Sequence, residues 1–393
     1  MRRRHFLQLA AAGLATPRWA TAFAAAPASG SKTVLVFLRG GYDAASLLVP
    51  LSSDFYEEVR PHIGIARRGE GLDVALPLNT DWGLHPALRE SLYPLYQQKQ
   101  LAFVPFAGTP DLSRSHFETQ DSIEMGQGNG RDFGSGFLNR LCSVLASPRP
   151  ISFTDQLPVI FRGHVDVPNT ALRTLSRPAL DARQSKIVAS MYENTALAHV
   201  VNEGFETRDA VMQEMAGEME GASRNAASSK GFELEARRIA RLMRERYDIA
   251  FVDVGGWDTH VGQGAASGYL ANRLDELGRG LAALASELGD VWSRTTVVVI
   301  SEFGRTFREN GNRGTDHGHG SVYWFLGGAI RGGQVLGRQQ ALTAASLFQN
   351  RDYPVLSDYR DLLAGLYGRQ FGLSSAQLQQ VFPGAQPLDV GII

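Results

Sequence analysis

Residues 296–320 constrain the fold more than any other stretch of this chain. Residues 296–300 (TVVVI) form a run short enough and rich enough in valine for a strand buried on both faces, which needs cover on each side. The run stops at Ser301-Glu302-Phe303-Gly304, and a polar, glycine-rich loop then delivers Asp316, His317 and His319. Two other runs end the same way. Residues 249–254 (IAFVDV) discharge into Gly255-Gly256-Trp257-Asp258-Thr259-His260, and residues 33–38 (TVLVFL) into Arg39-Gly40-Gly41-Tyr42-Asp43. Glycine permits the tight turns and positive φ that such exits need. In open α/β sheets, chemistry gathers at the carboxyl ends of the strands. Three such strands side by side would bring these acids and imidazoles together.

A fourth run, 101–106 (LAFVPF), empties into a loop carrying Ser113, Arg114, Ser115 and His116, ahead of a helix to about Met125. Hydroxyls there suit an N-cap first of all, and also an anion held at a helix start. Further helices are expected from Pro86 to Tyr96, over 267–288 and over 358–371, with a strand at 322–326 and a hairpin at 330–338. The 267–288 helix joins two strands in a βαβ unit. Strands alternating with helices imply a doubly wound, mostly parallel α/β sheet sandwiched by helices. One domain is expected over 32–393, with a polar helical insertion at about 179–246. The sequence contains no internal repeat, no GxGxxG and no phosphate-binding Walker pattern.

The chain has 393 residues, 44% apolar, enough for a large core. A formal charge of −1 gives no global electrostatic reason for a nucleic-acid partner. Residues 1–26 carry Arg3-Arg4-x-Phe6-Leu7, an alanine-rich stretch and an Ala22-Phe23-Ala24 cleavage pattern. They resemble a twin-arginine export signal, with the translocase as partner and a periplasmic or secreted destination. Pro17-Arg18 interrupts the apolar run, which argues against a stable membrane anchor. The single cysteine, Cys142, allows no intrachain disulfide and reads as a buried thiol.

Asp43, Asp258, His260, Glu302, Asp316, His317 and His319 supply carboxylate oxygen and imidazole nitrogen without thiolate. Such a set suits Zn²⁺, Mn²⁺ or a related divalent ion, and convergence of titratable groups marks a site. A Ser-His-Asp triad is the rival chemistry, but the G-x-S-x-G elbow of the α/β-hydrolase version is absent.

The motifs RGGYDAAS (39–46), SRSHFETQD (113–121), GGWDTH (255–260), SEFGRT (301–306) and ENGNRGTDHGHG (309–320) resemble those of the bacterial domain-of-unknown-function family 1501. That family is similar in organisation to the alkaline phosphatase and sulfatase superfamily. The resemblance implies an alkaline phosphatase-like domain hydrolysing small anionic phosphate or sulfate esters with a divalent metal (Zn, Mn or Ca). It makes Asp43, Asp258, His260, Glu302 and His317 metal ligands, although Phe303 stands where a further histidine is expected. Ser113 or Ser115 takes the nucleophile's place. Arg114, His116, Arg305, Asp316 and His319 become substrate contacts or supports of the ligands, with a salt bridge from Arg305 to Glu302 or Glu309 as its other role. The alternative is a non-catalytic binding or assembly protein on a degenerate hydrolase scaffold.

Overall fold

A computed structural model describes residues 30–128, 134–171, 187, 190–203 and 231–393. The expected export signal at 1–26, and most of the expected insertion at about 179–246, lie outside these residues.

The strands in chain order are β1 (Lys32–Leu38), β2 (Leu48–Pro50), β3 (Leu76–Pro77), β4 (Trp82–Leu84), β5 (Leu101–Gly108) and β6 (Pro150–Phe153). They continue with β7 (Ile249–Val254), β8 (Thr295–Ser301), β9 (Ser321–Gly327), β10 (Gln334–Val335) and β11 (Ser357–Asp358). The main sheet runs β10-β5-β9-β8-β1-β7-β6, with β11 also on β5, while β2, β4 and β3 make a small antiparallel sheet. The main sheet is mostly parallel; β9 alone runs antiparallel to its neighbours β5 and β8 among the described strands. The three acid-tipped runs are therefore adjacent and codirectional, with Thr33 opposite both Ile249 and Thr296.

Period-2 alternation explains why these runs read as continuously apolar. Val34, Val36 and Leu38 join Val297, Val299 and Val252 in one core, while Leu35 and Phe37 join Val298, Ile300 and Phe251 in the other. Helices Phe232–Glu245 and Tyr269–Leu288 cover the first face; helices Phe137–Val144, Tyr359–Phe371 and Ser375–Val381 cover the second. Each fully buried valine or leucine contributes about 1.5–3 kcal/mol of transfer free energy.

Three local expectations change. Residues 330–338 form no hairpin: β9 already has β5 and β8 on its two edges, so the chain crosses to the free edge of β5 and pairs in parallel, Gln334 opposite Ala102. The helix from Pro86 to Tyr96 splits into a 3-10 turn Pro86–Leu88 and a helix Leu92–Gln97. Pro94 is tolerated in a first turn but would clash with the preceding turn of a longer helix. Helix Phe232–Glu245, at the end of the expected insertion, buries Ala236, Ile239, Ala240, Leu242 and Met243 and so belongs to the core. Cys142 is buried and unpaired, its pKa pushed up to about 12 by burial. No helix among the described residues is long and apolar enough to cross a membrane.

Candidate metal centre

The site grows from the carboxyl ends of β8, β1 and β7, joined by the exit loop of β5, which runs parallel to β8 because β9 is antiparallel to both. Two glycines let the β1 tip approach. Gly40, at φ +125°, sends its amide to Glu302 Oε1 at 2.8 Å, and a Cβ there would lie 2.7 Å from the Asp258 nitrogen. Gly41, at φ +64°, lies where a Cβ would meet the Phe303 ring at 2.6 Å. The β8 loop folds back on itself, pairing Arg305 with His317, and Asn310 clips it to the β7 loop by donating to the His260 carbonyl at 3.0 Å.

At the centre, His260 Nε2 lies 3.0 Å from Asp258 Oδ1, His317 Nε2 lies 3.3 Å from the same oxygen, and the two nitrogens are 3.1 Å apart. His116 Nε2 faces the other oxygen, Oδ2, at 3.5 Å. Every imidazole is anchored at its far nitrogen: His260 Nδ1 to Asp316 at 3.2 Å, His317 Nδ1 to the Arg114 carbonyl at 3.0 Å, and His116 Nδ1 to Glu302 at 2.8 Å. Those partners only accept, so each Nδ1 carries a proton and each ring turns its Nε2 inward. Three imidazole nitrogens and the Asp258 carboxylate oxygens thus converge, and His116 Nε2 is buried without a hydrogen-bond partner. Donors of a tetrahedral zinc, about 2.0–2.1 Å from the ion, sit roughly 3.3 Å apart. The spacing here fits, and so does the pattern of anchors beyond the ligands.

The charges agree with this reading. Two carboxylates, Asp258 and Asp316, stand at the centre with one guanidinium, that of Arg305 on Asp258, an excess that a divalent cation would balance. Burial opposes ionisation of Asp258, but the hydrogen bond and charge of Arg305 and the nearby imidazoles outweigh it and hold its pKa low. The buried Glu302 is likewise held low, burial being overcome by hydrogen bonds from His116, Gln120 and the Gly40 amide. Burial pushes His317 down and keeps its ring neutral, whereas the Glu302 hydrogen bond pushes His116 up. A cation at the centre would therefore compete with a proton for His116. Phe303 walls this side, its ring centroid 4.9 Å from that of His116 and 5.0 Å from that of His317.

The structure thus brings Asp258, His260, His317 and His116 together, with His116, Asp258 and His317 forming a candidate metal-holding group. Glu302 and His116 exchange their expected places. Glu302 is fully buried and holds His116 instead of facing the centre, because its oxygens already accept from Gly40, Gln120, His116 and Ser301. Asp43 is not at the centre. Its carboxylate caps the helix Ala44–Leu47 and is saturated by Arg60, Ser46 and Gln263. His319 stands apart, its ring 5.0 Å from that of Phe348, with its pKa pushed down to about 4 by burial and by Arg114. Ser113 is engaged with Thr119 at 3.2 Å, whereas Ser115, the N-cap beside His116, makes no cap hydrogen bond. Arg305 pairs with Asp258 at 2.5 Å, not with Glu302 or Glu309, and Arg114 pairs with Asp352 at 2.7 Å.

Sequence reasoning missed Arg60, Gln120, Arg351 and Asp352. Gln120 had a signal, since it lies one turn from His116 on the same helix face. Replacing Glu302 with glutamine removes the anionic acceptor that fixes the His116 ring. Metal affinity, followed by titration with Zn²⁺ or Mn²⁺, should fall about 10–100-fold; unchanged affinity would sink this role.

A family profile described as "Protein of unknown function (DUF1501)" matches residues 31–382. No curated protein matches the chain. Among solved structures, Ps i-CgsB in complex with k-i-k-neocarrahexaose is similar at 10% identity and TM-score 0.40, covering 91% of this chain and 75% of that one. A protein in the alkaline phosphatase superfamily from Vibrio parahaemolyticus is similar at 10% identity and TM-score 0.36, covering 85% of this chain and 71% of that one.

Proposed function

This chain belongs to the DUF1501 family, and we propose that its strand-tip centre binds a divalent cation and hydrolyses phosphate or sulfate esters. The observation that carries the reading is the inward convergence of three anchored Nε2 atoms on the Asp258 carboxylate. Asp258, His260 and His317 would hold the ion, with His116 on the remaining side. An imidazole-rich set favours Zn or Mn over Ca, which prefers oxygen ligands. Such an ion supplies Lewis acidity toward an ester oxygen.

The chain's own residues do the rest. Glu302, Asp316 and the Arg114 carbonyl fix the three rings, and Arg305 holds Asp258 in place from a buried position. Arg114 and Arg351 share Asp352, and Arg351 also donates to the His317 carbonyl at 2.7 Å. Arg351 thereby reaches the loop that carries His317, and guanidinium groups of this kind suit anionic ester oxygens. Ser115, at the start of helix His116–Met125, offers a hydroxyl for attack. A second reading, binding without catalysis, draws on Arg305, a cation already in contact with Asp258.

Elemental analysis of the purified protein, with turnover assays on aryl phosphates and aryl sulfates, separates these outcomes. One equivalent of metal with metal-dependent turnover supports the hydrolase. Metal without turnover argues against the hydrolase, and a protein that stays metal-free after reconstitution overturns it and favours the binding protein. Export through the twin-arginine pathway is part of the proposal and rests on Arg3-Arg4-x-Phe6-Leu7. Changing Arg3 and Arg4 to lysine should leave the protein in the cytoplasmic fraction; undiminished export would exclude that route.

A further inference from the structure

A cavity of about 510 Å³ opens where the ends of β1, β7 and β6 meet helix His116–Met125. Its wall includes Arg39, Asp121, Glu124, Phe153, Asp155 and Asp253. None of these is a candidate ligand, yet the cavity is wired to the centre through Gln120. Gln120 Oε1 accepts from Arg39 Nη1 at 2.8 Å, and its Nε2 donates to Glu302 Oε1 at 2.8 Å, the same oxygen that holds His116. His116 and Glu124 stand at the two ends of that helix face, roughly 12 Å apart by helix rise.

The charge of Arg39 is already engaged. It donates to Asp253 Oδ2 at 2.6 Å and reaches Glu124 Oε1 at 2.9 Å, so two carboxylates answer one guanidinium. Asp121 and Asp155 line the same space and make no ion pair among the described residues, and Arg162 is the one other guanidinium that the described residues contribute to the wall. Phe153 and Val252 supply an apolar portion. A concave wall that is part apolar and carries excess negative charge repels a phosphate or sulfate and accepts an organic cation.

We propose that this cavity is a second subsite of the same centre, taking a primary ammonium group carried on the alcohol part of the ester. This deepens the hydrolase reading and rests on it for the ester end. The ester sits at the histidines and the ammonium at Asp121 and Asp155, in the cavity that Gln120 links to the centre.

The test uses the full-length protein and an Asp121→Asn/Asp155→Asn variant, which leaves every candidate ligand untouched. Calorimetry with 1,5-diaminopentane and its uncharged counterpart 1,5-pentanediol should show binding of the diamine alone, weakened about tenfold in the variant. Arg162→Gln, which removes an opposing cation, should tighten it. In parallel, an aryl phosphate bearing an aminoalkyl chain should be turned over with a higher kcat/KM than its hydroxyalkyl counterpart, a preference the double variant loses. Diamine binding without any ester turnover would remove the hydrolase reading and leave the cation subsite standing. Absent diamine binding, equal binding of diamine and diol, or equal diamine binding by wild type and variant each overturn the subsite.

Discussion

Asp258→Asn should release the divalent cation proposed for the centre and take ester turnover to background. Asp258 is the one carboxylate on which the centre closes, since His260, His317 and Arg305 all meet its Oδ1 and His116 faces its Oδ2. Loss of its charge leaves the buried guanidinium of Arg305 beside three imidazoles, an arrangement that repels a cation instead of holding one. Metal affinity should fall by more than the roughly 10–100-fold that removal of an outer anchor costs. Asparagine keeps an acceptor for Arg305, and Arg305 keeps its bond to the Thr315 carbonyl, so the fold should survive. Elemental analysis with a thermal melt measures both effects. A folded variant that keeps stoichiometric metal would sink the centre as drawn.

The second large effect is on stability. Arg60→Met leaves Asp43 ionised and buried without its partner, at a cost of about 3–5 kcal/mol out of a typical total of about 5–15 kcal/mol. Both side chains are buried, and the guanidinium makes a two-pronged contact, Nη1 to Oδ2 at 2.6 Å and Nη2 to Oδ1 at 3.0 Å. Arg60 also donates to the carbonyls of Phe307 and Thr306, tying the site loop to the small sheet's surroundings. Burial opposes ionisation of Asp43, but Arg60, Ser46 and Gln263 outweigh it and hold its pKa below the ordinary 3.8. A depressed folded pKa stabilises above the unfolded value, so the contribution is present above about pH 3.8 and lost as pH falls through the folded value. In Arg60→Met the sign reverses, because the isolated carboxyl is relieved by protonation. Urea midpoints at pH 7 and pH 4 read this out: the variant's deficit should be large at pH 7 and shrink at pH 4. A deficit below about 1 kcal/mol, or one that does not change with pH, would reject the account.

Much of the architecture was legible because buried parallel strands write themselves as unbroken apolar runs. TVLVFL, IAFVDV and TVVVI needed only adjacency to bring Asp258, His260 and His317 to one edge, and the sheet order provides it. What could not be read was depth. Glu302 and His116 are both polar residues at element ends, and which one faces the centre depends on how far each side chain sits below the sheet edge. Gly40 draws Glu302 downward, and nothing in the string SEFG records that. Asp43 misled for a different reason. An acid after a strand and a glycine pair looks the same whether its counter-charge is an ion or an arginine, and Arg60 arrives from a separate short segment. The 330–338 segment failed because pairing depends on which sheet edges are free, a property of the assembled sheet.

The position of β1 has a consequence for how the molecule is made. It is the earliest strand of the described chain, yet it lies between β7 and β8, with Thr33 against Ile249 and Lys32 against Thr295. At about 5–20 residues per second of synthesis, β1 waits roughly 10–40 s after emerging before its first neighbour exists. Throughout that interval an apolar hexapeptide with two open edges travels unprotected, the kind of segment that chaperones bind and that seeds aggregation. The centre of the finished sheet is thus a long-lived liability of the nascent chain, and C-terminal truncation before β8 should yield insoluble chains, not smaller folded ones.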